Sequence, residues 1–157
     1  MFLIERVIKV KKTFKSIKGV NLTIYTVIAV IGDLNGGIGL GKSKSSDQNF
    51  ASYKAFLNAR KNFKKIILKN GTIFHEIYGK CCSTKVILFP GRYGGTVLSG
   101  GCTRYIFEVI GINSIICKIY GSNNSWNVAK ATIKALLSSE SSHYVFIKRN
   151  KLIRDIF

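Results

Sequence analysis

The 157-residue chain carries 25 Lys and Arg against 7 Asp and Glu, a formal net charge of +18, with 46% hydrophobic and 11% aromatic residues. That apolar content supports a packed core and excludes a disordered basic tail, while the charge calls for a polyanionic partner, most commonly nucleic acid. No apolar run reaches the roughly 18 residues of a membrane span and neither end reads as a basic amphipathic anchor, so no membrane partner is expected.

From the N-terminus, Lys9 to Lys18 alternates basic and apolar residues and closes at Gly19, which predicts a strand running into an exposed loop. Phe14 and Ile17 between the lysines favour a nucleic-acid contact over a merely solvated face. Asn21 to Ile31 is rich in β-branched residues and reads as a strand. Asp33-Leu34-Asn35-Gly36 is turn chemistry, and Ile38 and Leu40 among glycines form a short return strand. Gly39 and Gly41 are expected to leave the backbone bare for close approach of phosphates.

Ser45 and Gln48 stand at capping-box spacing and open a helix. Phe50, Tyr53, Leu57 and Phe63 are expected to mark its apolar face, with Lys54, Asn58, Lys61 and Lys65 forming a cationic rail on the other side. Asn70-Gly71 ends this unit, and Thr72 to Gly79 reads as a connecting strand. Lys85 to Phe89 is a strand ending at Pro90, followed by the glycine-rich loop Gly91 to Thr96. Ser99-Gly100-Gly101 begins a helix through Ile110, stopped by Gly111. Ser114 to Tyr120 is a strand. Asn124 or Ser125 caps a last helix, with Trp126, Ala129, Ile133 and Leu137 inward and Lys130 and Lys134 outward. The tail from Tyr144 is basic and without clear pattern. The order is β-β-β-α, then β-β-α-β-α: an α+β chain of two small units, divided here as 1–73 and 74–142 with a basic tail at 143–157.

Gly36 to Ser43 spells Gly-x-x-x-x-Gly-Lys-Ser, the string of a phosphate-cradling P-loop. A working P-loop joins a buried strand directly to a helix whose N-terminus holds the phosphates. Here a hairpin turn intervenes, and no acidic residue after Ser43 ends an apolar strand to hold Mg²⁺. A calcium loop starting at Asp33 fails as well, with Ile38 at the required Gly and Lys44 at the closing Glu. Cys81, Cys82, Cys102 and Cys117 contain no C-x-x-C pair or nearby His, so reduced thiols are expected rather than zinc. His75 and His143 stand apart from any Ser, Cys or carboxylate that could complete a triad. No catalytic residue, metal site or cofactor is expected.

Several collinear motifs resemble one family, the fifth protein of the small ribosomal subunit in its bacterial form, from Glu5 to about Phe157. They are Val30-Ile31-Gly32-Asp33-Leu34-Asn35-Gly36, Gly39-Leu40-Gly41, Ala59-Arg60-Lys61-Asn62 and Asn70-Gly71-Thr72 in the first half. Ser99-Gly100-Gly101, Glu108-Val109-Ile110-Gly111, Tyr120-Gly121-Ser122-Asn123-Asn124, Asn127-Val128 and Ala131-Thr132 follow in the second. The resemblance implies a double-stranded-RNA-binding-like N-terminal domain, then a domain with a left-handed β-α-β unit. It implies a structural binder of small-subunit ribosomal RNA near the mRNA entry path, packed against the fourth and eighth small-subunit proteins and supporting assembly and decoding accuracy. The family's loop to the subunit head corresponds to Lys11 through Gly19, where Val20 and Asn21 replace the usual Gly-Arg.

The candidate RNA-contacting residues are therefore Lys11, Lys12, Lys15, Lys18 and Gly19 on that loop, and Gly39, Gly41, Lys42 and Lys44 on the return strand. Lys54, Lys61 and Lys65 follow on the helix, with Lys80, Arg92, Ser122 and Asn124 in the second half. The alternatives are a small P-loop hydrolase centred on Lys42 and Ser43, or an RNA-binding module acting outside the ribosome. The preference for Lys over Arg, the abundant Ile and Asn, and the lack of a transit-peptide pattern point to a chain made where it works. A plastid (apicoplast) ribosome is favoured over a mitochondrial or bacterial one.

Overall fold

The computed structural model describes residues 3–17, 19–92 and 94–150. Two antiparallel-based sheets and four helices build it. In the first half β1 (Ile4–Ile17), β2 (Val20–Gly32) and β3 (Gly37–Ser45) pair in sequence, α1 (Gln48–Lys61) crosses them, and a two-residue β4 (Lys64–Lys65) joins the edge of β3. The second half holds β5 (Ile77–Cys81), β6 (Thr84–Pro90), β7 (Val97–Leu98), α2 (Gly101–Ile110), β8 (Ile115–Gly121), α3 (Ser125–Leu137) and α4 (Ser142–Arg149). Its sheet runs β5-β6-β8-β7, and the β7–α2–β8 crossover makes the last pair parallel.

Strand alternation lets one sheet serve two cores. Val27 and Ala29 of β2 pack under α1 with Ala51 and Ala55. The intervening Ile28 and Val30, with Ile38 and Leu40 of β3, point the opposite way. They join a larger core with Ile106, Phe107, Val109 and Ile110 of α2 and with Val86, Leu88 and Ile115 of the second sheet. The first sheet is thus sandwiched between its own helix and the other half.

Backbone hydrogen bonds reinforce that junction. The last carbonyls of any α-helix lack partners within it; here those of Val109 and Ile110 accept from the N–H groups of Leu34 (3.1 Å) and Gly36 (3.0 Å) in the β2–β3 turn. Asp33 shapes this turn, its Oδ1 accepting from the Asn35 and Gly37 N–H groups. Gly111 ends α2 at φ 89, a left-handed cap that a Cβ would drive into the Leu34 carbonyl.

The buried face of α1 differs from the one its large residues predict. Phe50 and Tyr53 are 51% and 60% exposed and Leu57 also faces solvent, while Ala51, Ala55 and Ala59 are fully buried. Opposite them β3 offers Gly39, Gly41 and Ser43. A Cβ on Gly39 would strike the Ala59 carbonyl, one on Gly41 the Ala55 carbonyl, and the Ser43 hydroxyl donates to the Ala51 carbonyl. Two strand residues advance about 6.6 Å and four helix residues about 6 Å, so the two rows stay in step. The backbones approach too closely to admit an aromatic ring. The capping box is also absent: Asp47 is the N-cap and makes no side-chain bond. The helix stops at Lys61, leaving Phe63 and Lys65 beyond it.

In α3 the buried residues are Val128, Ala129, Ala131, Thr132, Ala135 and Leu136, whereas Leu137 is exposed and Trp126 and Ile133 are half-buried. The connecting strand begins only at Ile77. Part of the expected tail is the helix α4, capped by the Ser141 hydroxyl, which accepts from the Tyr144 N–H at 3.3 Å. β4 and β7, two residues each, are too short to leave a pattern.

Candidate nucleic-acid interface

Residues directly opposite one another in paired strands share a face of the sheet. β1 and β3 flank β2 in the registers Lys9–Ile28–Lys42 and Lys11–Thr26–Lys44. Four lysines therefore rise from one face, their Cα atoms on a grid of about 7 by 10 Å set by strand geometry. This is the face turned to the second half. Where the apolar contact with α2 ends, these lysines line a cleft with Asn124, Ser125 and Trp126 at the start of α3. Asn124 caps that helix, its Oδ1 accepting from the Trp126 N–H at 3.2 Å, and Ser122 supports it by accepting from the Asn124 N–H at 3.4 Å. A helix N-terminus carries about half a positive charge, which adds to the cationic field.

A second cleft adjoins the first around Lys42, Lys44 and Trp126. Its far wall is the end of α1, where Lys61, Asn58 and Asn62 stand. Asn58 and Asn62 donate to the carbonyls of Lys42 (3.1 Å) and Leu40 (3.4 Å), covering the edge of β3 past its short pairing with β4. The Lys42 ammonium lies 5.3 Å from the centroid of the Trp126 ring, and that of Lys130 5.0 Å, both within cation–π range.

Among the described residues no carboxylate forms an ion pair with the four lysines of this grid. Among the described residues the ion pairs are Glu5–Arg60 (2.8 Å), Glu108–Arg6 (3.2 Å) and Glu140–Lys148 (3.4 Å). Asp33 is held in its turn. The surface consequently lacks internal neutralisation where its cations converge.

The sequence-predicted residues fall into groups. Lys11, Lys42, Lys44, Lys61 and Asn124 meet at the two clefts, and Lys9 and Trp126 join them. Lys9 belongs with them because it is two residues from Lys11 on one strand; Trp126, which helical spacing turns inward, stands instead at the rim. Lys12 and Lys15 are exposed on the β1–β2 ribbon. Lys12 points to the sheet's other face, its ammonium 4.9 Å from the Phe14 ring centroid and 5.8 Å from that of Tyr25. Gly19 turns the ribbon at φ 80 in open space, while Lys18 lies outside the described residues. Lys54 is exposed over the Phe50 ring at 4.2 Å.

Two expectations are corrected, and the P-loop alternative loses its geometry as the intervening turn implied. Gly39 and Gly41 are buried beneath α1, so their missing side chains admit a helix rather than a phosphate. Lys65 sits on β4, off the helical rail. Lys42 and Ser43 lie within β3, with Ser43 buried and the chain bending at Ser46 and Asp47 before α1, so no helix N-terminus faces the Gly-Lys-Ser string. Lys80 and Arg92 line other concavities, the first beside Cys81 and Lys134, the second beside Lys69 and Asn113.

Comparison with known proteins matches this architecture half by half. The family model described as Ribosomal protein S5, N-terminal domain, covers residues 3–67, and that described as Ribosomal protein S5, C-terminal domain, covers residues 79–149. The small ribosomal subunit protein uS5 of Verminephrobacter eiseniae is 38% identical over 153 residues, 98% of this chain and 89% of the relative. That of Cupriavidus pinatubonensis is 37% identical over 152 residues, 97% and 88% of the two chains. With both halves matched in order and nearly the whole length aligned, the chain belongs to the ribosomal protein S5 family.

Proposed function

We propose that the chain is a structural constituent of the small ribosomal subunit that binds its ribosomal RNA through the Lys9, Lys11, Lys42 and Lys44 face. The carrying observation is that these four cations converge, with Lys61 and the head of α3, and that among the described residues none of them is paired with a carboxylate. Such a surface binds phosphates by releasing their counterions and needs no base-specific contact. Lys15, on the same face of β1 as Lys9 and Lys11, extends the contact along the ribbon, Lys12 offers a cation on its other side, and the role is binding rather than catalysis. The finer reading follows the family resemblance: a place near the mRNA entry path, beside the fourth and eighth small-subunit proteins, supporting assembly and decoding accuracy. A plastid (apicoplast) ribosome is the proposed site, supported by the lysine-, isoleucine- and asparagine-rich composition.

Sedimentation of a gentle native lysate through a density gradient tests the reading. The chain is expected with small subunits and whole ribosomes, and RNase should collapse that peak. A peak confined to the top of the gradient would instead support an RNA-binding module acting outside the ribosome.

A further inference from the structure

We propose that the cleft between β3 and the head of α3 seats one unpaired RNA nucleotide, its base stacked on Trp126 and its phosphate held by Lys42 and Lys44. This deepens, and rests on, the RNA-binding reading above. The indole packs in part against the main core, yet a share of its surface stays open to the clefts. The core under α3 is filled by Val128, Ala129, Thr132, Ala135 and Leu136, all fully buried, while Trp126 remains half-buried at the rim. It lines the cleft bearing Lys44 and Lys61, the cleft bearing Lys9 and Lys11, and a third beside Lys130 and Lys134. A large aromatic surface placed where several cationic concavities meet is the arrangement that binds single strands, with stacking on the ring and ammonium groups tracking the backbone.

The spacing fits one nucleotide. The Lys42 and Lys130 ammonium groups lie over the indole, 5.3 and 5.0 Å from its centroid; a base stacking there takes the place of one of them, and the displaced Lys42 stem swings to the phosphate. Lys44 follows two residues later on the same face and borders both clefts that Lys42 borders. A duplex keeps its bases stacked on one another and offers phosphates and sugar edges instead, so it can neutralise the lysine grid without placing a base on the indole. The ring reads no hydrogen-bond pattern, and a purine should be preferred for its larger stacking surface.

Trp126 is the single tryptophan of the chain, so emission excited on the long-wavelength edge, beyond the absorption of its seven tyrosines, reports on this site. The full-length protein would be titrated with a short oligoadenylate, with an RNA hairpin of equal phosphate number and with adenosine monophosphate. Binding would be followed in parallel by anisotropy of labelled RNA. The oligoadenylate is expected to quench most of the emission, the hairpin to bind with little quenching, and the mononucleotide to do nothing at the same concentration. Trp126→Leu should weaken the single strand by roughly tenfold or more and the hairpin hardly at all, with Trp126→Phe intermediate and circular dichroism checking the fold. If the oligoadenylate binds by anisotropy and leaves the emission unchanged, or the hairpin quenches equally, the nucleotide seat is overturned while RNA binding stands. Equal quenching by the mononucleotide would overturn an RNA ligand for the seat. If neither RNA binds at low salt, the RNA-binding reading itself fails, and the seat with it.

Discussion

The backbone N–H of Leu34, in the hairpin turn of the first half, donates to the carbonyl oxygen of Val109 at the end of α2 at 3.1 Å. Because the turn closes the helix and both halves share one core, they are expected to unfold together, in one transition seen identically by fluorescence and circular dichroism. Gly111→Ala should destabilise the whole chain by more than about 1 kcal/mol, since its φ of 89 and the Leu34 carbonyl both oppose a side chain. Urea denaturation checks this. Two separated transitions would mean that the junction does not couple the halves.

Gly41→Ala tests what the β3 glycines are for. The added Cβ would collide with the Ala55 carbonyl and the Ala59 N–H, so the variant should lose about 1–3 kcal/mol. Its RNA affinity, measured where it is still folded, should be unchanged. Gly101→Ala provides the contrast, because a Cβ there meets nothing within 4 Å; its urea midpoint should stay near that of the parent.

The lysine grid predicts a salt signature. Lys42→Ala and Lys44→Ala should each weaken RNA binding and lower the slope of log affinity against log salt by about 0.7–0.9. Lys148→Ala, whose ammonium already pairs with Glu140 at 3.4 Å on α4, should leave the slope alone. Equal effects at all three positions would argue that only net charge matters.

Alkaline stability should depend on a half-buried thiol. Burial pushes Cys102 from its ordinary 9.0 up to about 11, the nearby Lys9 ammonium opposing and Cys117 reinforcing the rise. The folded chain then holds this proton more tightly than the unfolded chain. The contribution is complete below about pH 9 and is lost as pH rises towards about 11. Comparing urea midpoints of the parent and Cys102→Ala, the parent's advantage should shrink across that interval. Cys82 is the exposed cysteine and should react first with iodoacetamide at neutral pH.

Elements with a two-residue alternation or a β-branched run, such as Asn21 to Ile31, are legible in the sequence itself. So is the turn from Asp33 to Gly36, which alone argues against reading Lys42 and Ser43 as a P-loop. The face of α1 is not legible, because helical periodicity ranks residues by size and polarity. Here the strand opposite makes the choice: Gly39 and Gly41 select Ala59 and Ala55 and expel Phe50 and Tyr53. The lysine grid is half legible. Lys9 and Lys11 share a face by their spacing of two, but aligning them with Lys42 and Lys44 requires the β1–β2–β3 register, which no short pattern encodes. Trp126 escapes helical spacing for a related reason, since smaller side chains on the same helix already satisfy the core.

The glycine–alanine seam also governs how the interface can respond to a ligand. Where α1 meets β3 no pliable layer of long side chains lies between the two backbones, and the Asn58 and Asn62 amides fasten the helix to the Lys42 and Leu40 carbonyls. The Cα of Lys61 is therefore held at a set distance from those of Lys42 and Lys44, because tightly packed interiors yield little, while the lysine stems themselves stay flexible. For the proposed RNA contact, an expected consequence is that the strand, more than the α1–β3 backbone, adjusts to the spacing.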